Sequence, residues 1–269
     1  MQKTILITGS TDGIGFQTAK RLVKEGHNVL IHGRSSQKVK DVETKLKSEL
    51  NGGTIDSCVA DLSNISDVKV LVNEIKQKYT NLDVLINNAG VFNVPQTITK
   101  DNLDVRFVVN TIAPYFLTKE LMPLFTPTSR VVNLSSAAQA PVNIGALKGE
   151  TIISSASDAY AQSKLALTMW SFQMAQILKD SGPIIIAVNP KSSLGSKMVK
   201  DAYGVAGADL SIGADILCRA SLSDEFENAR GKYFNNDIGA FDNPHPDALN
   251  EKRCKTVIEV IEETILKIL

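Results

Sequence analysis

Cysteine, histidine and long apolar runs are all scarce in this chain, and each scarcity removes a class of function. The three cysteines, Cys58, Cys218 and Cys254, are odd in number and widely scattered. They form no C-x-x-C pair and no metal-type cluster with His27, His32 and His245, so neither a disulfide framework nor a zinc site is expected. A reducing, cytoplasmic compartment fits this usage. No apolar run approaches the ~20 residues of a spanning helix. The stretch from Met1 to Thr8 is too short for a secretory signal and runs straight into a glycine loop. A bias of charge is missing too: Lys+Arg and Asp+Glu both total 29 in 269 residues. The balance gives no electrostatic case for nucleic acid or an anionic membrane as partner. No repeat, low-complexity tract or Pro/Gly/Ser linker divides the chain, so one domain over residues 1–269 is expected.

What the sequence does contain is a regular alternation. Short β-branched runs, Thr4 to Ile7, Asn28 to Ile31, Asp83 to Ile86, Arg130 to Asn133 and Pro183 to Val188, read as strands buried on both faces. Between them, Gly15 to Glu25, Gln37 to Leu50, Ile65 to Tyr79, Thr99 to Leu124 and Asp158 to Lys179 carry apolar residues at helical spacing. This β-α-β-α order predicts an α/β fold with a doubly wound parallel sheet. From Glu251 to Leu269, Cys254, Val257, Ile258, Ile261 and Ile265 share one face, which predicts a final amphipathic helix.

The first chemical signal lies between the first strand and the first helix: Thr8-Gly9-Ser10-Thr11-Asp12-Gly13-Ile14-Gly15. Glycines there permit a tight turn and let backbone N–H groups approach a pyrophosphate, while the helix N-terminus adds partial positive charge. An ordinary strand-to-helix turn is the alternative. The second strand ends in His32-Gly33-Arg34-Ser35-Ser36. An NAD site normally carries an acid at this strand end for the ribose hydroxyls, whereas a 2′-phosphate calls for a guanidinium and hydroxyl donors. Gly33 fills the acid's place, and Arg34 follows it. Further on, Tyr160 and Lys164 stand four residues apart on one helical face, which brings an ammonium near a phenol. Such a charge stabilises the phenolate and lets the phenol exchange a proton near neutral pH. A half-buried Tyr beside a surface Lys is the plain alternative.

In order and place, the glycine loop, Asp61-Leu62, Asn87-Asn88-Ala89-Gly90, Asn110, Ser135-Ser136 and Tyr160-Ala161-Gln162-Ser163-Lys164 resemble the short-chain dehydrogenase/reductase family. The likeness runs from Met1 to Pro190. It implies a single Rossmann domain with a central parallel, seven-stranded sheet, and an oxidoreductase that moves a hydride between a nicotinamide and a carbonyl or alcohol substrate. By the same resemblance Ser136 bonds the substrate oxygen, Tyr160 is the acid or base, Lys164 also binds the nicotinamide ribose, and Asn110 holds a water of a proton relay. Ser135 is the rival of Ser136. The implied cofactor contacts are Gly9, Ser10, Thr11, Asp12, Gly13, Ile14 and Gly15 in the loop, then Asp61 and Leu62 at the adenine. Asn87, Ala89 and Gly90 follow along the cofactor's path, with Tyr160, Lys164 and Pro190. Arg34 and Ser35 favour NADP(H) over NAD(H), while Asp12, where many NADP-using relatives carry a basic residue, argues the other way.

Four further features shape the expectations. The 24-residue interval from Ser136 to Tyr160 is longer than in compact family members and is similar to that of retinol-dehydrogenase-like ones. Its Gly145, Lys148, Gly149 and Glu150 make it too polar for a lipid-facing flap. Lys191 stands where the family usually has glycine after proline, before a segment, Ser192 to Ser196 here, that by the resemblance touches the nicotinamide carboxamide; the stretch Lys197 to Asp209 reads as a substrate lid or a plain surface loop. The apolar Leu165, Leu167, Met169, Trp170, Phe172 and Met174 are core, with part of this helix expected at the interface of a homodimer or homotetramer. A nucleotide-sensing or scaffold protein without turnover is the competing class, against which the intact Ser136, Tyr160 and Lys164 count.

Overall fold

The computed structural model describes residues 1–196, 200, 204 and 206–269. Its sheet is built outward from β1 (Thr4–Ile7), which pairs in parallel with β2 (Asn28–Gly33) on one side and β4 (Val84–Asn87) on the other. Beyond them lie β3 (Ile55–Val59), β5 (Arg130–Leu134), β6 (Ile184–Asn189) and β7 (Lys232–Asn235), all parallel. Alternation along β1 sends its residues into two cores. Ile5 and Ile7 pack with Ala19, Val39 and Ile216, whereas Leu6 joins Leu71, Ile112 and Trp170 on the opposite face. Helices therefore cover both faces. On the first face lie α1 (Gly13–Lys24), α2 (Ser36–Lys47) and α7 (Leu210–Leu222); on the second, α3 (Ile65–Lys78), α4 (residues 105–120), α6 (Ala156–Leu178) and α8 (Glu251–Ile268).

The strand order is β3-β2-β1-β4-β5-β6-β7-β8, so the expected seven parallel strands gain an eighth. That strand, β8 (Ala240–Asp242), returns antiparallel on β7. Phe241 gives it a reason to stay, with its ring centroid 5.3 Å from that of Phe226 and 5.2 Å from that of Phe234. At β1 and β4 the order reverses, which opens a crevice at the carboxyl ends of these strands.

Helix α4 is a composite: one α-helical turn (Val105–Phe107), a π-helical segment (Val108–Ile112) and a second α-helical part (Ala113–Glu120). It starts later than the periodicity suggests because Asp104 caps it, accepting from Arg106 N, and pairs backbone with Ile98. The π segment has a chemical cause. Four residues beyond Asn110 comes Pro114, which has no N–H, so the Asn110 carbonyl cannot take the usual helical bond.

The segment between Ser136 and Tyr160 folds down onto the body through a short helix, α5 (Ile144–Leu147), whose Ala146 and Leu147 are buried. It leads directly into α6, capped by Ser155, whose Oγ accepts from Asp158 N. Helix α8 closes over α6 and α4, where the Glu262 carboxylate takes bonds from the Tyr115 hydroxyl and the Lys119 ammonium. Under that cover Leu165, Leu167, Met169, Trp170 and Met174 are buried within the chain itself. These five are thus spent on internal packing, while Phe172, named with them in the expected interface, is half-buried. Among the described residues, no helix is long and apolar enough to cross a membrane. Most of the stretch read as a lid, Lys197 to Asp209, lies outside the described residues.

Candidate active site

At the mouth of the crevice the glycine loop is held by bonds that leave it little freedom. Gly9 has φ of +64°, and a Cβ there would lie 2.8 Å from Ala89 Cα, so only glycine lets the loop meet the end of β4. Gly15 is packed as tightly, with a hypothetical Cβ 2.4 Å from Gly9 O. Gly13 opens α1 behind the cap of Asp12, whose carboxylate accepts from Gly13 N at 2.7 Å. Ile14 and Thr11 are half-buried along the same rim. Ser10 is turned inward: its hydroxyl and amide both bond His32 backbone, at 2.8 and 2.9 Å, so it props the loop from below.

Three residues to which the sequence reading gave no role at the site, Thr8, Asn88 and His32, tie this loop together. The Thr8 hydroxyl accepts from the backbone amides of Asn88 and Ala89, each at 3.1 Å. Asn88 in turn donates to Thr8 O at 2.9 Å and Gly9 O at 3.0 Å. Fully buried His32 accepts from Gly9 N at 3.1 Å through Nδ1 and donates from Nε2 to Ala60 O at 3.2 Å. Burial pushes its pKa down to about 4, which keeps the ring neutral with its proton on Nε2. A threonine ending a strand and the second of two asparagines are visible signals. His32 gives none, because its role depends on a partner on another strand.

Arg34, exposed, follows Gly33 at the end of β2, and Ser35 caps α2 by accepting from Lys38 N. Just beyond β3, Asp61 is folded into a turn, its Oδ1 accepting from Ser63 N at 2.9 Å and Ser63 Oγ at 2.7 Å, beside buried Leu62. The amide of Asn87 points away from the crevice into the core, donating to Thr118 Oγ1 at 3.1 Å and Asn133 Oδ1 at 2.8 Å. Ala89 and Gly90 stay at the rim, half-buried. Lys191, after Pro190, has φ of +123°, a region that side chains rarely adopt.

The reactive groups converge at the ends of β4 and β5. Ser135 is buried, its hydroxyl 2.7 Å from Thr168 Oγ1, while Ser136 is half-exposed on the crevice side with its Oγ accepting from Ala138 N at 3.1 Å. Gln139 and Tyr233 steady that position, donating to Ser136 O at 2.9 and 3.1 Å. Lys164 is buried under Tyr160: its Nζ lies 5.6 Å from the ring centre and donates to Leu134 O at 2.6 Å. Desolvation pushes the pKa of Lys164 down to about 8. Phe92 meets the Tyr160 ring edge to face, with centroids 5.0 Å apart. Asn110 sits in the middle of the π segment with its amide fully used, accepting from Val91 N at 2.8 Å and donating to Val91 O at 2.9 Å and Ser163 Oγ at 3.0 Å.

A glycine loop at a helix N-terminus, set where the order of a doubly wound sheet reverses, marks the Rossmann class of dinucleotide-binding folds. Comparison narrows that class: residues 3–203 match the model of the short chain dehydrogenases, and the chain belongs to that family. It is 35% identical over 193 residues to human polyprenol dehydrogenase, covering 69% of this chain and 58% of that protein. With human retinol dehydrogenase 13 it shares 30% over 192 residues, 70% of this chain and again 58% of the relative. A solved structure from Mycobacterium paratuberculosis superposes with a TM-score of 0.81 at 24% identity, over 98% of this chain and 93% of the other, which speaks for the fold.

Proposed function

We propose that this chain is an NADP(H)-dependent oxidoreductase acting on a carbonyl or alcohol, with Tyr160 as proton donor and acceptor. The observation that carries this reading is the buried Lys164 ammonium held against the Tyr160 ring by Leu134 O. A phenol alone is a weak acid with a pKa near ~10. A positive charge at this range stabilises the phenolate, so Tyr160 can give its proton to a carbonyl oxygen or take one from an alcohol. Ser136 offers the hydroxyl that orients the same oxygen, and its backbone is fixed by Gln139 and Tyr233. The phenolate is recharged along Lys164 and a water held near Asn110, whose carbonyl has lost its helical donor to Pro114.

The residues fit a dinucleotide. Gly9 and Gly13 take backbone conformations with φ of +64° and +57°, which open a cradle before α1 for a pyrophosphate. When bound, the cofactor supplies the hydride donor or acceptor, and the chain supplies orientation and proton transfer. Preference for the 2′-phosphate rests on Arg34, the capped N-terminus of α2 with Ser35, and the absence of an acid at Gly33. The relatives named for polyprenol and retinol favour an alcohol or carbonyl on an apolar body, and Phe92 offers an apolar wall beside Tyr160. The unpaired thiols suit a reducing, cytoplasmic setting. Because α8 covers α6, we read the chain as working without the homodimer or homotetramer that the resemblance implies.

The test is NADPH oxidation against aldehydes, ketones, diketones and quinones, with the matching alcohols in reverse. Turnover of at least one class is expected. Cofactor binding without any turnover would instead support the sensor reading.

A further inference from the structure

Two residues other than glycine take positive φ within one turn at the end of β6: Lys191 at 123° and Ser193 at 55°. Side chains avoid this region, so a turn with two such residues persists only when its surroundings fix it. The support comes from the β7–β8 hairpin. Asp237, in its turn, accepts from Ser192 N at 2.9 Å through one oxygen, and from Ser192 Oγ at 2.6 Å and Asn189 Nδ2 at 2.8 Å through the other. The adjacent Asn236 donates its backbone N–H to Asn189 O at 3.1 Å and its side-chain amide to Pro190 O at 2.9 Å. Asp237 is exposed; its partial desolvation raises its pKa, yet the bonds from Ser192 and Asn189 with the charge of Lys191 together hold it below the usual range, so the clamp is charged at neutral pH.

What the clamp holds is the approach to the crevice. Immediately after the turn, Leu194 pairs with Ala208, and Ser193 O and Gly195 N bond Ala208 at 2.8 and 2.7 Å. Leu194 then packs at Gly213 of α7, where a Cβ would lie 2.7 Å from Leu194 Cδ1 and 3.2 Å from Cδ1 of Ile14, which belongs to the helix that follows the glycine loop. Displacing the turn would therefore move the wall that faces Ile14.

We propose that Asp237 is a positioning residue for the nicotinamide half of the cofactor, holding Pro190 to Ser193 in the course that a glycine at position 191 would otherwise supply. This rests on the cofactor reading above. The carboxylate replaces a missing glycine by bonding the turn from outside. Glycine at 191 should make it dispensable.

The test compares two ligands by fluorescence titration: NADPH, and adenosine 2′,5′-bisphosphate, which lacks the nicotinamide half. Asp237→Ala is expected to weaken NADPH by about tenfold or more while leaving the bisphosphate unchanged, as loss of bonds to a charged group at one end predicts. Asp237→Asn, which keeps an acceptor for Ser192 and serves if the alanine variant folds poorly, should fall between. Lys191→Gly in the Asp237→Ala background should recover most of the NADPH affinity. Equal weakening of both ligands, no weakening of either, or no recovery by Lys191→Gly would overturn the clamp while leaving the cofactor site standing. A wild-type chain that binds neither ligand would instead remove the cofactor reading on which the clamp rests.

Discussion

At Lys164 a charge is buried for the sake of its neighbour, and that choice sets a measurable cost. In the unfolded chain the amine has the ordinary lysine pKa near 10.5, and burial pulls it down to about 8 in the folded chain. Between these values the unfolded state binds more protons, so the penalty for burying the charge fades as pH rises from about 8 to about 10.5. Relative to Lys164→Met, the wild type is expected to gain stability across that window, on the order of 3 kcal/mol in total at about 1.4 kcal/mol per pKa unit. A flat difference in denaturant midpoints would contradict the buried charge. Tyr160→Phe should remove nearly all turnover while NADPH affinity stays near wild type, read by kcat and by direct titration. Cofactor choice is open to a sharper test than an acid placed at Gly33. A Cβ at position 33 would lie 2.6 Å from Thr11 Cγ2, so Gly33→Asp alone collides with the glycine loop. Thr11→Ser removes that methyl. The triple change Thr11→Ser, Gly33→Asp, Arg34→Ala should move kcat/KM from NADPH toward NADH by about tenfold to a hundredfold, the worth of a charge-assisted bond. Unchanged selectivity would sink the Arg34 assignment. Tyr160, Lys164 and the glycines were legible because their spacing is itself the signal. The inward turn of Ser10 and Asn87 was not, since it depends on His32, Thr118 and Asn133 arriving from other elements.

Among the elements, those buried on both faces were the readable ones. β1, β2, β4, β5 and β6 are near-continuous apolar runs, and their observed bounds follow them closely. β3 is a half-exposed strand at one edge, and β7 and β8 end the sheet at the other, where alternation is short and aromatic contacts decide the pairing. α7 hid behind the stretch read as a lid. The π segment of α4 was also hidden, although Pro114 was in plain view, because its meaning depends on Asn110 standing four residues earlier. Pro114→Ala would return a donor to the Asn110 carbonyl and let the helix regularise. The expected result is equal or higher thermal stability with a lower kcat and little change in KM. A loss of stability with kcat intact would argue that the segment is only structural.

At the scale of the whole molecule, α8 decides how the chain meets others of its kind. With the apolar residues of α6 buried beneath it, sedimentation at micromolar concentration is expected to show one species near 29.1 kDa. A stable dimer would show that another surface carries assembly. The burial of the three thiols has a different consequence, for kinetics. Burial pushes Cys58 and Cys218 up to about 12 and Cys254 up to about 11, so almost no thiolate exists in the native state at neutral pH. Any reaction with a thiol reagent must then wait for an opening, and the three sulfurs sit on β3, α7 and α8, in both cores. Labelled fragments resolved by mass would time three local openings in one unmodified chain, each thiol acting as a clock for the element that hides it.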